Sequence, residues 1–490
     1  MFKLNREKYR DKVIACWIGK NIGGTVGGPF EGTTEMQDVS GFTTKKGEPL
    51  PNDDLDLQIA WLLTLERVGV RGLDANELAQ TWSTIISPHW NEYGIAHKNL
   101  KMGLLPPLSG EVDNRLWRNS NGAWIRSEIW AALAPGYPNI AVKYAIYDAI
   151  VDHGLGEGTI AAVFTAALES IAYFENDIRT VIESALMFVP EDSMLYKSVS
   201  LVVDEYDKGT DYRVTREKVV ELNSELGLFQ APGNIAFAVI GLLYGEGDFK
   251  RSIIYTVNCG DDTDCSAGTV GALLGIIGGT SGIPEDWREF VGDRIVQMCL
   301  NAQYGPYIPN TCTDLTDRVM RFIPEMLKIH KVAFEFTDGE DAYDKNSAHC
   351  VLSGYAQDYF KRSPYSFDIT RIGQVNATVE FDGEPVIEAG GEISFKIKFK
   401  QLHIYAEPIE GCVNIILPSG WSAKHRRSVY IAKPRDIMSV SMPYQEYNYS
   451  CDLDITVMAN ENIAAQNRLY VCVELSNSPT PLIIPITIIG

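Results

Sequence analysis

The sequence predicts two architectures in one chain, an all-α helical bundle followed by an all-β sandwich, and two patterns carry that prediction. Up to about residue 340, apolar residues recur at helical spacing in Ala- and Leu-rich runs, "AVKYAIYDAIVDHG", "TIAAVFTAALESIAYF", "IAFAVIGLLYG" and "AGTVGALLGIIGG", with Gly or Pro at the breaks. Beyond it the text turns to short alternating runs, "VNATVEFDG", "EISFKIKFKQLHIYAE", "CVNIILPSGW" and "NRLYVCVELSN", divided by Gly, Pro, Asn and Asp. That alternation is the signature of a sandwich of about 100 residues. Residues 1–337 are therefore assigned to the helical domain, 338–375 to a connecting segment, and 376–490 to an immunoglobulin- or fibronectin-like sandwich.

Composition sets the outer limits. A chain of 490 residues with 45% hydrophobic content has material for two or three domains with large cores. Its formal net charge of −21 argues against a nucleic-acid polymer or an anionic membrane surface as partner and suits cation binding. The opening "MFKLNREKYRDKVIACW" reads as the start of a folded helix rather than a signal peptide, and no apolar run is long enough to span a bilayer. A soluble, cytoplasmic protein is expected. The nine cysteines are scattered, with no C-x-x-C pair, which argues against a disulfide framework or a zinc knuckle.

Within the helical part, "PNDDLDLQIAWLLTL" places Asp53, Asp54 and Asp56 in one turn, and "VNCGDDTDCSAGTVGALLG" does the same with Asp261, Asp262 and Asp264. Each cluster precedes an apolar helical run. One Asp there is explained by helix capping, but a second and a third add repulsion without further orphan donors to meet. Two such triples facing each other across a bundle core would hold hard divalent cations, Mg²⁺ or Mn²⁺, since no His or Cys set suited to zinc accompanies them.

These two stretches resemble the metal-binding motifs of the ADP-ribosylglycohydrolase family. The likeness extends to "ACWIGKNIGGTVGGPFEG", similar to the family's Gly-rich first helix and the acidic residue after it, and to "SNGAWIRSEIWAALAPG" with "DHGLGEGTIAAVFTAAL" downstream, together covering roughly residues 8 to 330. The resemblance implies an all-α fold with two divalent cations. The family's Thr-Asp-Asp motif falls on Asn52, Asp53 and Asp54, and its Gly-Asp-Thr-Asp-Thr motif on Asp261, Asp262, Thr263, Asp264 and Cys265. Asn52 and Cys265 thus replace ligating threonines, and Asp261 replaces a glycine. An amide oxygen suits a hard cation, whereas a thiol prefers softer ones. Asp56 and Asp261 are additional acids, open to ligation, capping or support of the ligands. The resemblance further implies Glu31 as the acid near the scissile bond, Asn121 and Gly122 as contacts to ribose and phosphate, and His153 as a pocket residue. The glycines before Glu31 are expected to permit close backbone approach to a ligand.

Five of the nine tryptophans, Trp82, Trp90, Trp117, Trp124 and Trp130, fall in one segment. They suit a filled core or, since Pro106, Pro107 and Gly110 make part of the segment a loop, an aromatic lid over a sugar. Trp421 is expected in the sandwich core, with a carbohydrate-stacking role as the other reading. The implied reaction is hydrolysis of an ADP-ribosyl or related ribofuranosyl linkage by water attack at the anomeric carbon, on a small-molecule or protein-attached substrate. Three alternatives stand beside it: another furanoside with the same mechanism, a dinuclear phosphoesterase, and an inactive sugar- or nucleotide-binding module.

Overall fold

The computed structural model describes residues 1–371, 374–402, 408–431 and 450–490. The chain forms two compact units, Met1–His97 with Asp113–Lys361, and Lys98–Val112 with Arg362–Gly490.

The first unit is helical. Its centre is built from α1 (Arg6–Gly27), α2 (Asp53–Gly72), α3 (Glu157–Ala172), α4 (Ala231–Tyr244) and α5 (Thr263–Gly278). In α3 every residue from Gly158 to Ala172 is buried, and in α4 every residue from Ala231 to Leu243, which is why these segments read as unbroken apolar runs rather than amphipathic ones. Trp17, Trp61, Trp82, Trp124 and Trp130 are among the largest fully buried side chains. A short parallel pair, β1 (Phe2–Asn5) against β2 (Phe334–Thr337), ties the start of this unit to its end, and Asn5 caps α1 by accepting the Lys8 N–H at 2.9 Å.

Helices α1 and α5 touch backbone to backbone. A β-carbon on Gly19 would stand 2.0 Å from the Gly271 carbonyl oxygen, one on Gly23 2.0 Å from that of Ala267, and one on Gly27 2.2 Å from that of Thr263. No side chain fits there. The glycines of "WIGKNIGGTVGG" therefore serve mainly helix packing and not, as the sequence suggested, approach to a ligand. Gly24 and Gly28, on the other side of the helix, do border the cleft described below.

The second unit carries two antiparallel sheets around one core. Its strands are β3 (Ser366–Arg371), β4 (Val375–Phe381), β5 (Glu392–Gln401), β6 (Ile409–Ile416), β7 (Ser422–His425), β8 (Ser428–Ile431), β9 (Ser450–Met458), β10 (Gln466–Leu475) and β11 (Leu482–Ile489). The orders are β3-β4-β5-β9-β7 and β11-β10-β6-β8. Inward residues alternate as the sequence predicts: Val375, Ala377, Val379 and Phe381 of β4 are buried, as are Leu469, Val471, Val473 and Leu475 of β10. Residues 403–407, the end of the long run beginning at Glu392, lie outside the described residues. Trp421 belongs to this core.

The proline-rich stretch belongs to the second unit. Leu104, Leu108 and Val112 are part of the sandwich core, and the Gly103 carbonyl accepts the Thr487 hydroxyl at 3.0 Å. The three leucine and valine side chains, spaced four apart, decide its place through burial.

Candidate active site

Both acidic triples sit at helix N-termini, yet neither is spent on capping. Asn52 caps α2, its Oδ1 accepting the Asp54 N–H at 2.7 Å. Asp262 occupies the cap position of α5 and makes no side-chain cap bond. The carboxylates are thus left for other work.

Helix α1 packs against both openings, Gly27 against Thr263 of α5 and Gly24 against Asn52 ahead of α2, and the triples meet beside it. Asp54 Oδ1 accepts the Cys265 thiol at 3.5 Å, and donor atoms of Asp54, Asp264 and Cys265 lie within 4.8 Å of one another. Donor atoms of Glu31, Asp262 and Asp264 form a second group within the same 4.8 Å limit, so Asp264 belongs to both. Glu31 reaches this place because its loop is pinned to the second triple: the Gly32 N–H donates to the Asp261 carbonyl at 2.8 Å, and the Asp261 N–H to that of Thr33 at 2.6 Å. Asp261 adopts φ +63°, a left-handed conformation that Asp tolerates better than most residues.

Each triple also spends one acid as an anchor. Asp56 Oδ2 accepts the backbone N–H groups of Met298 and Cys299, both at 2.7 Å, and Asp261 Oδ1 accepts that of Phe229 at 2.8 Å. Met298 and Phe229 are thereby held on the wall of a cleft of ≈630 Å³, which is also lined by Glu31, Asp53, Trp90, Tyr93, Asn121, Gly122, Asp262, Asp264 and Cys265. Trp90 is 47% exposed there, with its ring stacked 6.1 Å from that of Tyr93. Of the tryptophan-rich segment, Trp90 faces the cleft while Trp82, Trp124 and Trp130 are core.

Burial dominates the electrostatics. It pushes Asp53 and Asp261 up to about 6 and Asp56 and Asp262 up to about 7. Asp264 rises well above the carboxylate range, through burial and then the charges of Asp262, Asp54 and Glu31. Glu31 is raised by burial and by Asp53. Asp262 Oδ1 and Asp264 Oδ1 are buried and find no hydrogen-bond donor among the described residues. Such oxygens are costly unless a cation or proton meets them, so the donor set fits a hard divalent ion.

The other predicted residues are placed as follows. Asp53 Oδ2 accepts the Tyr93 hydroxyl at 2.8 Å. Asn121 donates to Asp262 Oδ2 at 2.6 Å and accepts the Trp124 indole N–H at 3.0 Å, so its amide orients a carboxylate of the second group. His153 is fully buried and does not line the cleft; its Nδ1 lies 3.0 Å from Asp152 Oδ1 and its Nε2 3.2 Å from the Ser120 hydroxyl. It supports the Ser120–Gly122 loop from behind.

Two basic residues escaped the sequence reading. Arg126, fully buried, bonds the Gly122 carbonyl at 2.5 Å, Asp148 at 2.8 Å and both oxygens of Asp152 at 2.8 and 3.0 Å, fixing the loop that carries Asn121. Lys20 of α1 is fully buried with Nζ 3.1 Å from Asp54 Oδ2 and 2.5 Å from Glu128 Oε1. Its signal was present in "WIGKNIGG", a lysine on a helix with no polar face to receive it.

The sequence profile of the ADP-ribosylglycohydrolase family matches residues 5–314. The chain belongs to this family. As an ADP-ribosylglycohydrolase-type protein it is a hydrolase by kinship, and the matched span contains every residue of the cleft. No curated protein matches the chain. Two solved structures were found to be similar to parts of it: a FixG-related protein from Vibrio parahaemolyticus, at 8% identity over 24% of this chain and 96% of that one, and the GAE domain of GGA2p from Saccharomyces cerevisiae, at 11% identity over 25% and 96%. Both have a TM-score of 0.18 and carry no argument about fold or function. No helix among the described residues is long and apolar enough to cross a membrane.

Proposed function

We propose that this family member is a divalent-cation-dependent glycohydrolase that cleaves an ADP-ribosyl or related ribofuranosyl linkage, with Asn52, Asp53, Asp54, Asp262, Asp264 and Cys265 as the residues that hold or frame two Mg²⁺ or Mn²⁺ ions. The observation that carries this reading is the sharing of Asp264 between two groups of donor atoms at one cleft wall. When bound, the cations supply Lewis acidity and a template for hydroxyl oxygens.

The chain's own residues do the rest. Glu31, its carboxyl raised by burial and by Asp53, takes a proton from the attacking water as the water oxygen bonds to the anomeric carbon and the bond to the acceptor breaks, and that proton then passes to the departing acceptor. Asn121 fixes Asp262, and Tyr93 fixes Asp53, so neither carboxylate reorganises as charge develops. Trp90 and Phe229 give the cleft apolar faces for a ring system.

The test is incubation of the full chain with ADP-ribosylated protein and with simple ribofuranosides, with EDTA, Mg²⁺ or Mn²⁺, followed by product analysis. Metal-dependent release of free ADP-ribose or ribose is expected. Ligand affinity without turnover under every metal condition points to a binding module, and release of inorganic phosphate to a phosphoesterase.

A further inference from the structure

The two donor groups differ in what the chain already gives them. In the inner group, Asp54, Asp264 and Cys265, the Asp54 carboxylate is ion-paired with the Lys20 ammonium, Nζ standing 3.1 Å from Oδ2, and its Oδ1 accepts the Cys265 thiol at 3.5 Å. Lys20 cannot swing away to solvent. It is fully buried on α1, held on its other side by Glu128 at 2.5 Å and within 3.5 Å of the Thr269 hydroxyl, and Glu128 is itself held by Gln58. In the outer group, Glu31, Asp262 and Asp264, no lysine or arginine makes an ion pair among the described residues; Asp264 is common to both groups, so the difference lies in the ion pair at Asp54.

We propose that Lys20 is the standing counter-ion of the inner group, so that the outer group binds its divalent cation tightly and the inner group at least ~10-fold more weakly. A dication entering the inner group must share Asp54 with a fixed positive charge, and at an effective dielectric of about 20 repulsion over a few ångströms exceeds that factor. The proposal rests on the reading of the site as a divalent-cation centre, and it changes that reading from two equal ions to one resident ion and one that is exchangeable.

The experiment is a Mn²⁺ titration of the full chain at pH 7.5, with free Mn²⁺ followed by electron paramagnetic resonance and heats by calorimetry. The wild-type chain is expected to bind one ion tightly and a second at least ~10-fold more weakly. Asp262→Asn should weaken the tight event and leave the weak one. Lys20→Met should tighten the weak event until the two differ by less than about threefold. Because Lys20→Met leaves Glu128 buried without its cation, the double variant Lys20→Met/Glu128→Gln removes both charges together and is read in the same way. Two equal affinities in the wild-type chain, or a gap unchanged in both Lys20 variants, overturn the assignment to Lys20. Equal affinities accompanied by metal-dependent turnover overturn it alone, whereas absence of Mn²⁺ binding overturns the metal-centre reading with it.

Discussion

The N-terminal openings of α2 and α5 have the same written form, three acids in four positions ahead of an apolar helix, and the fold uses them in parallel up to a point. Each gives one carboxylate to a neighbouring loop, Asp56 to Met298 and Cys299, Asp261 to Phe229. Each gives others to the cleft. They part over compensation: Asp54 is ion-paired with a buried lysine, whereas Asp262 and Asp264 make no ion pair with a lysine or arginine among the described residues. An acidic cluster thus announces that charge must be balanced without saying by what, and the balancing group here comes from a third helix, α1.

The largest effect should come from removing the residue the two openings share. Asp264→Ala deletes a donor from both groups, and turnover on the best substrate is expected to fall about 10³-fold, the scale of losing a principal charge-stabilising group. The companion Asp53→Ala removes an acid that belongs to neither of the two groups, and a fall of about tenfold is expected. Steady-state kinetics at saturating Mn²⁺ compares them. Equal losses would mean that Asp264 is not the bridge between the groups.

Next in size is a change that pries the openings apart without touching a carboxylate. Gly27→Ala places a methyl 2.2 Å from the Thr263 carbonyl, at the mouth of α5. Backbone must move, at a cost of about 3 kcal/mol. Urea unfolding should show the loss, and Mn²⁺ affinity should fall with it. The same substitution at Gly282, which has nothing within 4 Å, should leave both unchanged.

How much of this was legible in the sequence follows from the range of each signal. The helical and sandwich regions were plain, because periodicity is local: an unbroken apolar run such as "IAFAVIGLLYG" has to be buried wherever it lies. The meeting of Asp54 with Asp264 and Cys265 was expected from motif order, and the packing of α1 against both α5, through Gly27, and Asn52, through Gly24, supplies its physical cause. The functions of Asp56 and Asp261 were not legible, since the backbone N–H groups they accept lie 242 and 32 residues away. The membership of residues 98–112 was not legible either, since Leu104 and Leu108 pack into the core of a unit whose strands begin at Ser366. A loop's polarity and its prolines say nothing about which core will take its leucines.

Smaller effects separate the anchors. Asp56→Ala orphans two N–H groups, that of buried Cys299 and that of Met298, and should cost about 3 kcal/mol, whereas Asp261→Ala orphans one at the cleft wall and should cost about 1 kcal/mol. Denaturant titration measures both. Asp261→Ala should in addition raise KM, since Phe229 lines the cleft and loses its tether. The comparison breaks if the two costs are equal.

The finest test uses pH. In the ion-free protein Asp53 and Asp261 are pushed up to about 6 and Asp56 and Asp262 to about 7, each chiefly by burial, while the unfolded chain ionises its aspartates near 3.9. Between those values the folded state holds protons that the unfolded state has released, so ion-free stability falls as pH rises from about 4 through about 7. A divalent cation favours the ionised carboxylates and competes with those protons. Mn²⁺ should therefore raise Tm by a few degrees at pH 8 and by less at pH 5, measured by scanning calorimetry against an EDTA control. If Mn²⁺ stabilised the protein more at pH 5 than at pH 8, the raised carboxylates would not be its ligands, and the distinction between a lysine-balanced opening and a cation-balanced one would have to be abandoned.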